Sequence, residues 1–193
     1  MYPNGEAIVP VFAPVHSVFF YDTDAALVER LHGMVSSGFN LGKSALIVAT
    51  HEHCQQLIEA LKKNGVDADA RIREARLWMR DAGEMLSQFM VSDRPNPALF
   101  QASVGRLLKD AKNSAGQDDQ KLVVFGEMVA LLWNGGNKRG ALELECLWNN
   151  LLSQTAFHLH CAYPRSLFSK DATGMMNVCE SHSHVFGAIA GAN

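Results

Sequence analysis

The ends of the apolar runs in this sequence carry side chains that could bind a ligand. The polar and aromatic residues in these positions are Tyr21, Asp22, Thr50, His51, Asp81, Glu127 and Tyr163. If the runs are strands of a parallel sheet, their carboxyl ends meet at one edge, which is where open α/β sheets bind ligands. The sequence therefore predicts a ligand site at this edge, lined by His16, Tyr21, Thr50, Glu127 and Tyr163, with Glu145 in support.

Two glutamates combine a carboxylate with apolar surroundings. Glu127 follows the apolar run that begins at Leu122, and Glu145 lies at the rim of the apolar stripe of a predicted helix. A partly buried acid must be hydrogen-bonded or have its pKa raised. Two interpretations remain open at this point, because such acids either hold the architecture together or line a site.

Histidines and cysteines are concentrated in the last third of the chain. Cys179, His182 and His184 lie close together, and Cys161 shares a predicted strand with two further histidines. Thiolates and imidazoles suit zinc, but the CxxHxH spacing is not that of a standard zinc finger, and the sequence contains no CxxC pair. We therefore predict no metal or other cofactor, with Cys161, Cys179, His182 and His184 as the candidates if a metal binds.

No stretch of the sequence matches a catalytic motif. Gly42-Lys43-Ser44 is similar to the end of a phosphate-binding loop, but Ser37 stands where the first glycine is required. A phosphate-binding loop also follows a strand and opens a helix, whereas here a helix precedes the motif and a strand follows it. The sequence also has no G-x-S-x-G elbow. We predict a helix-to-strand turn at Gly42 and no catalytic residues.

The elements that position these residues alternate between strand and helix. Apolar runs predict strands at residues 16–22, 44–50, 75–81, from 122 onward, and 157–164. Amphipathic periodicity predicts helices between them, the clearest at about 24–39 and 138–155. Such alternation predicts a three-layer αβα fold with a mostly parallel sheet.

The composition argues against a nucleic-acid-binding protein and against a membrane-spanning one. The net charge of −3 and the pI of about 6.2 provide no basic field for nucleic acid. No apolar stretch approaches the length of a membrane span, and the first residues lack the pattern of a signal peptide. The four scattered cysteines predict reduced thiols and a cytoplasmic protein.

Short motifs along most of the chain are similar to those of MEDS domains, sensory domains named after methanogens, methylotrophs and a dichloromethane-responsive regulator. The motifs are HSVFFY at 16–21, Gly42 with Ala49-Thr50, LKKNGVD at 61–67, FGEM at 125–128, LECLWN at 144–149 and CAYP at 161–164. The resemblance covers about residues 16–186. We predict one MEDS-like domain there, an extended N-terminal arm at 1–15 and a tail at 187–193.

The resemblance implies a RecA/KaiC-like fold of the P-loop NTPase class that has lost its phosphate loop. It also implies a sensor of small molecules, such as ones derived from hydrocarbons, that passes its signal to a kinase or a DNA-binding domain. We expect no output domain in this chain, and we expect a separate histidine kinase or transcriptional regulator, or self-association, to carry the signal.

Three hypotheses about function follow. The first is a cytoplasmic, non-enzymatic module that binds a small ligand at the carboxyl edge of its sheet. The second is a remnant nucleotide binder or ATPase of the KaiC type, in which Glu127 polarises a water and Lys43 or Arg80 supplies the cation. The third is an interaction module that binds no ligand.

Overall fold

The computed structural model describes residues 15–114, 122–155 and 157–187. The described residues form a six-stranded central sheet and a two-stranded hairpin. The predicted arm, apart from Val15, and residues 188–193 of the predicted tail lie outside the described residues. Val15 is the first residue of the first strand.

The strands are β1 (Val15–Tyr21), β2 (Ser44–Ala49), β3 (Leu77–Asp81), β4 (Met90–Val91), β5 (Arg94–Pro95), β6 (Leu122–Gly126), β7 (His158–Pro164) and β8 (His184–Phe186). The helices are α1 (Asp24–Asn40), α2 (His51–Lys63), α3 (Ala68–Arg73), α4 (Ala82–Ser87), α5 (Pro97–Phe100), α6 (Arg106–Ser114), α7 (Met128–Asn134), α8 (Lys138–Gln154) and α9 (Ala172–Glu180). A π-helical turn, Gln101–Gly105, joins α5 to α6, and a 3₁₀ turn, Arg165–Phe168, follows β7.

The central sheet has the strand order β3-β2-β6-β7-β1-β8, and its pairings among the described residues are parallel. Each residue of β2 and β6 is buried, as expected for central strands covered on both faces. The carboxyl ends of β1, β2, β6 and β7 therefore meet at one edge. This polarity decides which predicted site residues can approach one another.

Helices cover both faces of the sheet and create two separate cores. One core packs α1, α2 and α3 against the sheet around residues such as Leu31 and Leu57. The other packs α4 and α6 to α9 against the opposite face, around Trp148 and Phe89. The predicted α/β class, with a parallel sheet between helical layers, is confirmed. The RecA/KaiC-like relationship stays a prediction.

The apolar run that begins at Leu122 changes its structure at Glu127. The strand ends at Gly126, and α7 begins at Met128, so the second half of the run is a buried helix. Short apolar segments do not distinguish a buried strand from a buried helix by periodicity. Strand β8 was not predicted from the sequence, because three exposed residues are too few to define a period. Among the described residues, no helix combines the length and apolar character needed to cross a membrane.

Trp148 is expected to be one of the side chains on which the second core most depends. It is 1% exposed, and its ring packs edge-on against Phe100, with ring centroids 5.3 Å apart. We expect Trp148→Ala to lower the free energy of unfolding by about 3–5 kcal/mol, because it removes apolar contacts and leaves a cavity. Urea denaturation followed by circular dichroism measures the change.

Leu41→Ala is the matched control, because Leu41 is 72% exposed at the end of α1. Its effect should lie within about 0.5 kcal/mol. Equal destabilisation by the two substitutions would contradict the assignment of Trp148 to the core.

Candidate functional site

The carboxyl edge of the sheet carries a closed network of polar side chains centred on Glu127. One carboxylate oxygen accepts a hydrogen bond from the backbone N–H of Thr50, with N and O 3.0 Å apart. The other lies 2.7 Å from Nδ1 of His53. Thr50 also caps α2, because its hydroxyl accepts from the N–H of His53. We call Tyr21, Thr50, His53 and Glu127 the edge network.

The edge network reaches α1 through Asp24. Nε2 of His53 lies 3.5 Å from a carboxylate oxygen of Asp24, which is the first residue of α1 and is largely exposed. His53 therefore stands between a buried and an exposed carboxylate. The network joins the ends of β1, β2 and β6 to the first turns of α1 and α2.

Burial and neighbouring charges shift the pKa values of His53 and Tyr21 in the edge network. The hydrogen bond to Glu127 is the main cause that raises the pKa of His53, and it outweighs the opposing effect of burial. Burial raises the pKa of Tyr21 well above its ordinary value, and the charges of Glu127 and Asp24 add to the shift. Tyr21 is therefore a neutral hydrogen-bond donor beside a carboxylate.

Three other residues predicted at this edge lie apart from the network. Asp22 forms an exposed ion pair with Arg165, with O and Nε 2.8 Å apart. Asp81 caps α4 by accepting from the N–H of Glu84. His51 is exposed, and its ring lies 2.7 Å from the amide nitrogen of Gln55. His51 and Asp81 both line an open cavity of about 480 Å³ beside the edge strand β3.

The remaining predicted residues meet in the core on the α8 face of the sheet. His16 on β1, Glu145 on α8, Cys161 on β7 and His182 after α9 are all buried. Their nitrogen, oxygen and sulfur atoms lie within 4.8 Å of one another. We call these residues the buried cluster. Period-two alternation puts His16 and Cys161 on this face, because each follows the pleat of its own strand.

Neighbouring side chains orient the buried cluster. The hydroxyl of Tyr163 donates to Oε1 of Glu145 over 2.8 Å, which leaves Oε2 facing the histidines. Nδ1 of His16 lies 2.8 Å from the side-chain oxygen of Asn149. The amide nitrogen of Asn149 in turn donates to the carbonyl of Ser181. The predicted site residues Tyr163 and Glu145 are therefore direct partners.

Cys161 is not arranged as a nucleophile. Burial is the main cause that raises the pKa of its thiol well above the ordinary value, and the charge of Glu145 adds to the shift. The structure leaves the metal candidates Cys179 and His184 outside the cluster. Cys179 is half-buried on α9, and His184 is exposed on β8.

A cleft of about 380 Å³ lies on the opposite face, between α1 and strands β1, β6 and β7. Its walls are mainly apolar and are formed by Phe19, Leu27, Leu31, Met34 and Phe125. Its polar lining residues are Ser17, Arg30, Ser37 and His160, and the hydroxyl oxygen of Ser17 lies 2.6 Å from Nδ1 of His160. We call this cavity the α1 cleft.

Sequence reasoning missed His53, Ser17, Arg30 and Asn149. His53 could have been predicted as a site residue, because it is the third residue of a helix that starts at the predicted ligand edge. Ser17 could also have been predicted, because it is a polar residue within a largely apolar, buried strand. Arg30 and Asn149 gave no signal, because exposed helix faces commonly carry such residues.

The raised pKa of His53 predicts a pH-dependent contribution to stability. A histidine whose pKa is raised by folding stabilises the folded state fully below its unfolded pKa of about 6.5 and loses that contribution as the pH rises through the folded value. We expect His53→Gln to lower the free energy of unfolding more at about pH 5.5 than at about pH 8.5. Urea denaturation at both pH values measures the difference.

His51→Gln is the control, because His51 lies in the same helical turn but is exposed. It should leave the free energy of unfolding unchanged at both pH values. A His53→Gln effect that is equal at the two pH values, or larger at the higher one, would show that the ion pair with Glu127 is not formed.

Comparison with known families agrees with the motifs in the sequence. One family model, described as MEDS, the MEthanogen/methylotroph, DcmR Sensory domain, matches residues 15–183. A comparison with curated proteins found no significant match. The matched range contains the edge network, the buried cluster and the α1 cleft, and the family description indicates a sensory role. The match confirms the predicted resemblance, and the chain belongs to the MEDS family of sensory domains.

Proposed function

We propose that the chain is a sensory module that binds a small, mainly apolar molecule with one polar group in the α1 cleft. The observation that carries the proposal is the pairing of apolar walls with the Ser17–His160 hydrogen bond. The cleft volume of about 380 Å³ lies within the usual range for small-molecule sites. A ligand derived from a hydrocarbon fits these walls.

The polar pair favours a neutral hydrogen-bonding group on the ligand. Burial is the main cause that lowers the pKa of His160 to about 4, so its ring is neutral near pH ~7. If Ser17 donates to Nδ1, then Nε2–H of His160 remains a donor. If Nδ1–H donates instead, the serine hydroxyl is the free donor. In both tautomers the pair keeps a donor and an acceptor for a hydroxyl or carbonyl group.

Arg30 forms part of the cleft and limits its opening. Its guanidinium lies 4.6 Å from the ring centre of Phe19 and 4.7 Å from that of Phe186 on β8. Stacking between two aromatic rings holds the side chain in place. Because Arg30 on α1 packs against Phe186 on β8, a ligand that moved the Arg30 side chain would change the packing of β8 against α1.

Helix α1 supplies a route from the α1 cleft to the carboxyl edge. The same helix forms one wall of the cleft and carries Asp24, which faces His53 of the edge network. A shift of α1 on ligand binding would change the distance between Asp24 and His53. We propose that the edge residues predicted from the sequence report this shift to a partner, such as a histidine kinase or a transcriptional regulator, or to a second copy of the chain.

The nucleotide-binding hypothesis has less support. The turn between β1 and α1 consists of Asp22 and Thr23, and it offers neither glycine nor lysine to a phosphate. Lys43 precedes β2, whereas Glu127 follows β6, so these two residues lie at opposite edges of the sheet. Glu127 is also occupied by His53 and Thr50. Tight binding of ATP with magnesium would revive the hypothesis.

Gly33 provides a direct test of the α1 cleft. It lines the cleft on α1, and an added Cβ would meet no heavy atom within 4 Å beyond its immediate surroundings. Gly33→Leu should fill the cleft without unfolding the protein, since replacing glycine within a helix is favourable. With straight-chain alcohols from propanol to octanol as probes, we expect saturable binding with an optimum chain length. Binding should weaken at least about tenfold in Gly33→Leu, which corresponds to about 1.4 kcal/mol.

Ala25→Leu adds similar bulk to an exposed position of the same helix, outside the cleft lining, and should bind the alcohols as the parent chain does. Two-dimensional NMR titrations measure the affinity and identify the residues whose signals move. Equal affinities of the parent, Gly33→Leu and Ala25→Leu would refute binding in the cleft.

A further inference from the structure

We propose that His16, Glu145, Cys161 and His182 bind one zinc ion in the core of the domain. The proposal does not depend on ligand binding in the α1 cleft, because the buried cluster lies on the other face of the sheet. It assigns a role to a set of buried polar groups that the proposed sensory function leaves unused.

Four of the six ligand-atom distances in the buried cluster lie close to the edge lengths of a coordination tetrahedron, and all six are within 4.8 Å. Zinc bonds of about 2.0–2.3 Å place neighbouring ligand atoms about 3.3–3.8 Å apart. Nε2 of His16 lies 3.4 Å from Oε2 of Glu145 and 3.5 Å from Sγ of Cys161. Nε2 of His182 lies 3.5 Å from the same carboxylate oxygen, and Sγ of Cys161 lies 3.9 Å from it. Direct N–H···O hydrogen bonds are shorter, at about 2.7–3.2 Å.

Both imidazole rings point a lone pair into the buried cluster. Nδ1 of His182 lies 2.7 Å from the carbonyl oxygen of Val178, and a carbonyl can only accept, so this nitrogen carries the proton. Asn149 donates its amide hydrogens to Ser181, so its oxygen accepts from Nδ1 of His16. In the neutral rings, both Nε2 atoms are therefore free to bind a metal. Histidine ligands in metal sites are usually held in this way by a second hydrogen bond.

One of these nitrogens lacks any other partner. Nε2 of His182 is fully buried and has no hydrogen-bond partner among the described residues. Leaving a buried polar atom unpaired is costly. A metal ion at the centre of the cluster satisfies this atom.

Charge and donor type favour a divalent, borderline-soft ion. Binding of Zn²⁺ would release the thiol proton of Cys161 to solvent, because a zinc-bound cysteine is a thiolate. The resulting thiolate and the Glu145 carboxylate together carry two negative charges, which Zn²⁺ neutralises, so that the buried site has no net charge. Imidazole, thiolate and carboxylate are each established zinc ligands, and four protein ligands would leave no open coordination position, as in a structural site. The bound ion would join β1, β7 and α8 to the turn after α9.

The first measurement is the metal content of the untagged full-length chain. We expect about one equivalent of zinc per chain by mass spectrometry of the metal, and a lower melting temperature after chelation. Refilling the metal-free chain with Co²⁺ should produce a thiolate-to-cobalt charge-transfer band and the visible absorption of a tetrahedral site. A folded, metal-free chain that takes up neither Zn²⁺ nor Co²⁺ would overturn the proposal.

Matched variants locate the ligands. Cys161→Ser should remove the charge-transfer band, and His182→Gln should lose stoichiometric zinc. Cys146→Ser, Cys179→Ser and His184→Gln should retain both, because these residues are outside the cluster. Loss of the band in Cys179→Ser, or its retention in Cys161→Ser, would contradict the assignment.

Asn149→Ala keeps the test decisive if the ligand variants fail to fold. As a positioning residue, Asn149 orients His16 without reaching the metal. We expect its removal to weaken zinc binding by about 10–100-fold while the cobalt spectrum keeps its shape. Unchanged affinity in a folded Asn149→Ala chain would count against the proposed orientation of His16.

Discussion

The burial of the Glu145 carboxylate is the constraint on which much of this structure depends. A carboxylate in the core must be neutralised or paired, because an isolated charge in an apolar medium is very costly. Here its four partners come from three parts of the fold: His16 on β1, Cys161 and Tyr163 on β7, and His182 after α9. Removing one partner of a buried ion pair typically costs about 3–5 kcal/mol. Glu145 therefore ties β1, β7 and the turn after α9 to α8.

The central strands connect the two faces of the domain at the level of single residues. His16 and Ser17 are adjacent on β1, and His160 and Cys161 are adjacent on β7. In each pair one side chain points into the buried cluster and the other into the α1 cleft, because side chains alternate along a strand. A displacement of β1 or β7 would therefore change side-chain contacts on both faces of the sheet. The sheet therefore links the α1 cleft to the buried cluster through adjacent residues of β1 and β7.

The domain family adds a context that the geometry alone does not supply. The family description indicates a sensory role. Helix α1 forms a wall of the α1 cleft and begins beside His53 at the carboxyl edge, which is the arrangement that the proposed function uses. The closed hydrogen bonding of Glu127 fits a residue that holds strand ends together. The hydrogen bonds of Glu127 and Glu145 support the structural interpretation of these buried acids, and their place in a ligand site stays a prediction.

The sequence by itself determined the alternation of strands and helices, the burial of β2 and β6, and the family. These properties depend on local periodicity and on short motifs, which can be recognised without knowing which residues are in contact. The sequence also marked Glu127 and Glu145 as unusual, because partly buried acids need partners, and it placed Tyr163 at a strand end. It did not identify those partners. Only the tertiary structure decided that His16 meets Glu145, which is 129 positions later in the sequence, and that His53 meets Glu127 rather than solvent. The physical reason is that strand order and helix packing set these distances, and no local pattern encodes which face of the sheet a distant helix will cover.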